Sequence, residues 1–233
     1  MMRSRFQQGL DVLKERLLEM GGMAEAAIEL ASECYRKRDG QLAQQVFERE
    51  KMINDSERHI DELAVDLLAM QQPMATDLRF VLAVLKINSD LERVGDLGVN
   101  IAQRSLDLIQ EPEVDVPVDI ARMTTAVSTM VRRALESFLS GNADVAHAVL
   151  QMDSIVDRMK DEAFVNLVTK MKDNSENVRP YLDVLLITRY LERIADHATN
   201  IAEDVIFWVS GADVRHNAMR LSEEFDPDAP RSR

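Results

Sequence analysis

Apolar residues recur every three or four positions along most of this chain, the spacing that lays one stripe down one side of an α-helix. Runs with this period extend over residues 5–37, 41–70 and 76–109, and then over 119–139, 143–172 and 177–209. Residues that end helices stand between them: Arg38 to Gly40, Gln71 to Pro73, Ser140 to Asn142, and Asp173 to Asn177. A proline-bearing stretch from Glu111 to Val118 separates the third run from the fourth, and the end of the chain past Gly211 is expected to fray. A run of about 30 residues makes a helix about 45 Å long, so the pattern predicts an all-α protein of extended bundles.

The pattern is written twice. At a constant shift of one hundred residues, Arg79, Leu82, Val84, Leu85, Ile87, Leu91, Glu92, Arg93, Asp96, Asn100, Ile101 and Ala102 each recur. Upstream, at a slightly different shift, VFEREKMIN from Val46 resembles VLQMDSIVD from Val149. Two amphipathic helices sharing only a heptad would not agree so often. The expected architecture is therefore two tandem, pseudo-symmetric three-helix bundles, one over residues 1–113 and one over 114–233.

Within the third run Val84, Ile87, Leu91, Val94 and Ile101 form the core-facing stripe, and Val184, Ile187, Leu191, Ile194 and Ile201 repeat it in the sixth. Glu92, Asp96 and Asn100 step by four residues, as do Glu192, Asp196 and Asn200, with Glu203 beyond, so each ladder shares one helix face. On a regular helix that face points roughly opposite the stripe, toward solvent. An acidic outer face is ordinarily only a solvated one. Here like charges four apart, which repel, occur in both copies, an asparagine extends the oxygen ladder in both, and Gly95 or Ala195 leaves space beside the second acid. In the second run Glu50 and Asn54 lie four apart, flanked by Glu57 and Asp61; Asp153 and Asp157 take the equivalent places in the fifth. These lie at the edge of their stripe and so border a neighbouring helix. Two helices each presenting an oxygen pair gather the hard ligands that suit magnesium, manganese, iron or, with fewer ligands, zinc.

Composition narrows the choice further. A net charge of −13 argues against nucleic acid and against bare anionic lipid. One cysteine, Cys34, excludes an internal disulfide and suits a reducing compartment. The start, MMRSRFQQGL, has no apolar signal core, and no window is apolar for about 18 residues, so a soluble cytoplasmic protein is expected. Glu-x-x-His pairs of the di-iron kind are not placed on a core-facing register; Asp144 with His147 and Asp213 with His216 fall near helix ends. Met20-Gly21-Gly22-Met23 lies inside a helical pattern and reads as a close helix approach, and His197 reads as a surface histidine.

MGGM from Met20, QPMATDLR from Gln71, LERVGD from Leu91, LERIAD from Leu191 and GADVRH from Gly211 together resemble the PhoU family of phosphate-signalling regulators, across essentially the whole chain. The resemblance implies a duplicated three-helix fold with multinuclear metal clusters on acidic E(D)xxxD motifs and a non-enzymatic role. It implies partners as well: the ATPase of a phosphate ABC transporter and the PhoR sensor histidine kinase, with restraint of the phosphate-starvation regulon when phosphate is plentiful. A homodimer is expected, and membrane association only through partners. Carried over by position, the metal-binding pairs are Glu92 and Asp96, Glu192 and Asp196, Asp153 and Asp157, and Glu50 with Asn54, where asparagine replaces the second acid. Two other classes stay open on the residues alone: a metal-dependent phosphatase or oxidase, and a structural bundle without metal.

Overall fold

In the computed structural model, which describes residues 2–71, 75–212 and 214, every predicted run is a helix. They are α1 (Met2–Lys37), α2 (Gly40–Gln71), α3 (Ala75–Ile109), α4 (Ile120–Ser140), α5 (Ala143–Asp173) and α6 (Val178–Ser210), with one 3-10 turn at Ser175–Asn177 and no strand among the described residues. The expected turn residues Gln72 and Pro73, Asp213, Arg215 and His216 of the GADVRH stretch, and the tail after it lie outside the described residues.

The helix ends follow from the residues found there. Asp119 accepts a hydrogen bond from the Arg122 backbone N–H at the start of α4, and Asn142 accepts from Asp144 and Val145 at the start of α5, satisfying donors that have no partner inside the helix. Gly141 and Gly211 end α4 and α6 with φ of 60° and 74°, left-handed conformations that a side chain disfavours. At the end of α3 the Arg38 guanidinium donates to the carbonyls of Leu108 and Glu111, both at 2.7 Å, and so ties the α1–α2 turn to the proline-bearing linker.

α1, α2 and α3 pack on one another, as do α4, α5 and α6; the two triplets meet through α3 against α6 and α1 against α4. Both predicted stripes are inside: Val84, Ile87, Leu91, Val94 and Ile101, and their counterparts on α6, are at most 1% exposed. They join one continuous core that runs through both triplets. Phe80 of α3, Phe138 of α4 and Trp208 of α6 stack and tilt against one another with ring centroids 5.0–5.6 Å apart, a cluster drawn from both halves. Gly21 is the close approach expected of MGGM, since a Cβ there would stand 2.5 Å from Leu135 of α4, whereas Gly22 faces open space. Cys34 is a buried free thiol. No helix among the described residues is long and apolar enough to cross a membrane.

Candidate functional site

The acids line two seams, one between α2 and α3 and one between α5 and α6. The expectation that the α3 and α6 ladders point to solvent holds for Asn100, Asp196 and Asn200, which are exposed, and fails for the acids that begin each ladder. The Glu92 and Glu192 side chains are only 18% and 19% exposed. The reason is geometric: α3 packs against α1, α2 and α6, so only a narrow strip of it, with Arg93 and Asn100, is exposed, and Glu92 looks into the crevice shared with α2. α6 stands likewise among α3, α4 and α5. Gly95 also has a different use from the one its sequence suggests. A Cβ there would lie 2.9 Å from Ile53 of α2, so the missing side chain draws the helices together and leaves no room for a ligand.

In the α2–α3 cleft, Glu50, Glu57 and Asp61 face Glu92 and Asp96. Burial first, and then the charges of Asp96, Glu57 and Glu50, raise Glu92 above the ordinary carboxylate range. Burial and the neighbouring Asp61 raise Glu57 in the same way. Arg93 only partly offsets this. It is 59% exposed, on the same helix as its partners, and stands 3.5 Å from Glu92 and 3.6 Å from Asp96. Asn54 donates its amide to Glu50, and its own buried Oδ1 meets no protein donor. Asn88, fully buried on α3, donates to the Glu57 carbonyl at 3.0 Å and to Asp61 at 2.9 Å, and its Oδ1 also meets no donor.

In the α5–α6 cleft, Asp153 and Asp157 face Glu192 and Asp196. Burial, then Asp157 and Glu192, raises Asp153. Burial, then Glu192, Asp153 and Asp157, pushes Asp196 up to about 6. Lys160 reaches across this cleft, 3.1 Å from Glu192 and 3.3 Å from Asp157.

All eight expected metal-binding residues thus lie in two clefts, four in each. Among the described residues no three His, Cys, Asp or Glu side chains already stand where one ion would bind them together. That is the arrangement expected of carboxylates that repel one another. The donor set still fits a hard cation: it is all oxygen, Glu57, Glu92, Asp153 and Asp196 hold their protons more tightly than free carboxylates, and the buried amide oxygens of Asn54 and Asn88 meet no protein donor.

His197 is not the surface histidine its position suggests. Its Nδ1 lies 2.8 Å from Asp90 of α3, both side chains less than a fifth exposed, so it joins the two halves. Three further interactions escaped the sequence reading. Asp204 and Asp183 of α6, 7% and 6% exposed, pair with Lys86 and Arg104 of α3. Lys160 is the third, and only an alignment of α5 on α2 would have picked it out. Asp144 of the acid-x-x-His pair serves in the first turn of α5, and Asp213 with His216 lies outside the described residues.

A family model described as "PhoU domain" matches residues 17–105 and again residues 120–205. A curated protein of Pseudomonas putida, named as a phosphate-specific transport system accessory protein PhoU homolog, is 40% identical over 217 residues, covering 93% of this chain and 85% of that protein. A protein of the same name from Pseudomonas aeruginosa is 40% identical over 224 residues, covering 95% and 93%. The crystal structure of PhoU from Pseudomonas aeruginosa superposes with a TM-score of 0.85 at 39% identity, over 89% of this chain and all of that one.

Proposed function

The chain belongs to the PhoU family, and from that premise we propose that it is a regulatory accessory protein of a phosphate-specific transport system that catalyses no reaction itself. Each matched segment forms one repeat and contributes one carboxylate cleft, and this repetition is the observation that carries the reading. The protein works in the cytoplasm, reaches the membrane through the transporter ATPase, and passes the state of the transporter to the PhoR sensor kinase, restraining phosphate-starvation genes when phosphate is plentiful. It does so as a homodimer.

The clefts are its metal sites in this reading. Glu50, Asn54, Glu92 and Asp96, with Glu57 and Asp61 beside them, would hold cations in the first; Asp153, Asp157, Glu192 and Asp196 would do so in the second. A bound iron, manganese, magnesium or zinc ion supplies positive charge where the carboxylates repel. The protein's part is to hold oxygen atoms from two helices across a seam whose spacing Gly95 and Ile53 set.

A tagged copy recovered from phosphate-replete cells tests the partner assignment. Mass spectrometry of the captured proteins is expected to find the transporter ATPase and the kinase. Capture of neither, with the protein at its native level, rules the assignment out.

A further inference from the structure

The two clefts share one design and differ at a position that decides their charge. Aligning Glu50 with Asp153 and Asn54 with Asp157 sets Glu57 of α2 against Lys160 of α5. The Lys160 ammonium leaves its own helix and crosses the seam, 3.1 Å from Glu192 of α6, while also lying 3.3 Å from Asp157 and 3.8 Å from Asp161. In the first cleft the cation is Arg93, which stays on α3 at the open rim. A second difference points the same way. Asn88 binds Asp61 of the first cleft through its amide N–H and keeps a fully buried oxygen that meets no protein donor, whereas its counterpart Thr188 donates its hydroxyl to Leu185 of its own helix.

We propose that Lys160 is a resident cation: its ammonium occupies the place in the α5–α6 cleft that a metal ion takes in the α2–α3 cleft, so the two clefts load unequally. The inference rests on reading the clefts as metal sites. An ion entering the second cleft competes with the lysine for Glu192 and Asp157 and must displace a charge already held by both. An ion entering the first meets carboxylates and an amide oxygen with no cation between the helices. Lys160 bonds Glu192 and Asp157 and reaches Asp153 only through its field, so Asp153 and Asp196 remain available and the second cleft binds later and with fewer ions. One chain then carries a high-affinity and a low-affinity site built from the same repeat.

Equilibrium dialysis of the full chain, stripped with EDTA, against Mn²⁺ tests this. The wild type should show two classes of site at least tenfold apart in affinity. Glu92→Gln with Asp96→Asn should remove the tight class, and Glu192→Gln with Asp196→Asn the weak one. In the background lacking the tight class, Lys160→Met should strengthen Mn²⁺ binding tenfold or more, and Lys160→Arg should not. Melting in EDTA serves as the fold control: Lys160→Met should melt lower than wild type and recover with Mn²⁺. Equal affinity of the two clefts, or a change of less than twofold in Lys160→Met, overturns the role of Lys160 alone. Absence of Mn²⁺ from every variant overturns the metal reading, and this inference with it.

Discussion

Asp196→Asn isolates the electrostatic strain of one cleft. Burial and the surrounding acids Glu192, Asp153 and Asp157 push Asp196 from 3.8 up to about 6 in the folded protein. The native state therefore binds its proton more tightly than the unfolded chain. The stability this contributes is complete below the unfolded value and is lost as pH rises through about 6, so at neutral pH the metal-free protein lacks it. A shift of this size corresponds to about 3 kcal/mol. Asp196 sits at the exposed rim, where water and salt screen its neighbours, which brings the expected effect down to about 1 kcal/mol. Asparagine keeps the shape and removes the charge. In urea unfolding followed by far-UV circular dichroism, with EDTA present, Asp196→Asn should be about 1 kcal/mol more stable than wild type at pH 7.5, and the difference should shrink as pH falls through about 6 and vanish only below the unfolded value of 3.8. Asp153, Glu92 and Glu57 are raised as well, so the variant should keep part of the wild-type gain on acidification. A variant less stable than wild type at pH 7.5, or a wild type that loses stability between pH 7.5 and 5, would refute the reasoning.

Three other outcomes follow from different parts of the molecule. Phe138→Ala empties the centre of the aromatic cluster and should cost about 3–5 kcal/mol, read as a large drop in melting temperature. Arg104→Met removes the cation from Asp183, which is buried and has one oxygen already without a partner; because Arg104 itself is partly solvated, the loss should be about 2 kcal/mol in urea unfolding. Deleting the gene from a strain with no second copy should leave phosphate-starvation genes expressed in rich phosphate, measured by a reporter fusion, and normal repression there contradicts the regulatory role.

The helices and the repeat were legible because local rules govern them. Gly141, Gly211, Asp119 and Asn142 end or begin helices wherever they stand in a bundle, and the Leu91 and Leu191 stripes are a property of one helix each. Which acids share a cleft was legible too, because Glu50 and Asp153 sit at the edge of a stripe that had to meet a neighbour. Depth was not. Glu92 looks solvent-facing on a helical wheel and is sheltered only because α3 has three neighbours, a fact of packing that no single-helix period carries. Pairings between the halves were hidden for the same reason: Asp90 and His197 are 107 residues apart and meet only where α3 crosses α6. Gly95 shows how a correct observation can be given the wrong cause, since the space it leaves is filled by Ile53.

The central claim is that the carboxylate clefts exist to hold cations, and elemental analysis of protein purified without chelator tests it most directly. Wild-type protein should carry bound metal, and Glu92→Ala with Asp96→Ala should lose the metal of the α2–α3 cleft while melting in EDTA within a few degrees of wild type. Unchanged metal content in that double variant, or a metal-free protein that collapses without the two acids, contradicts the account.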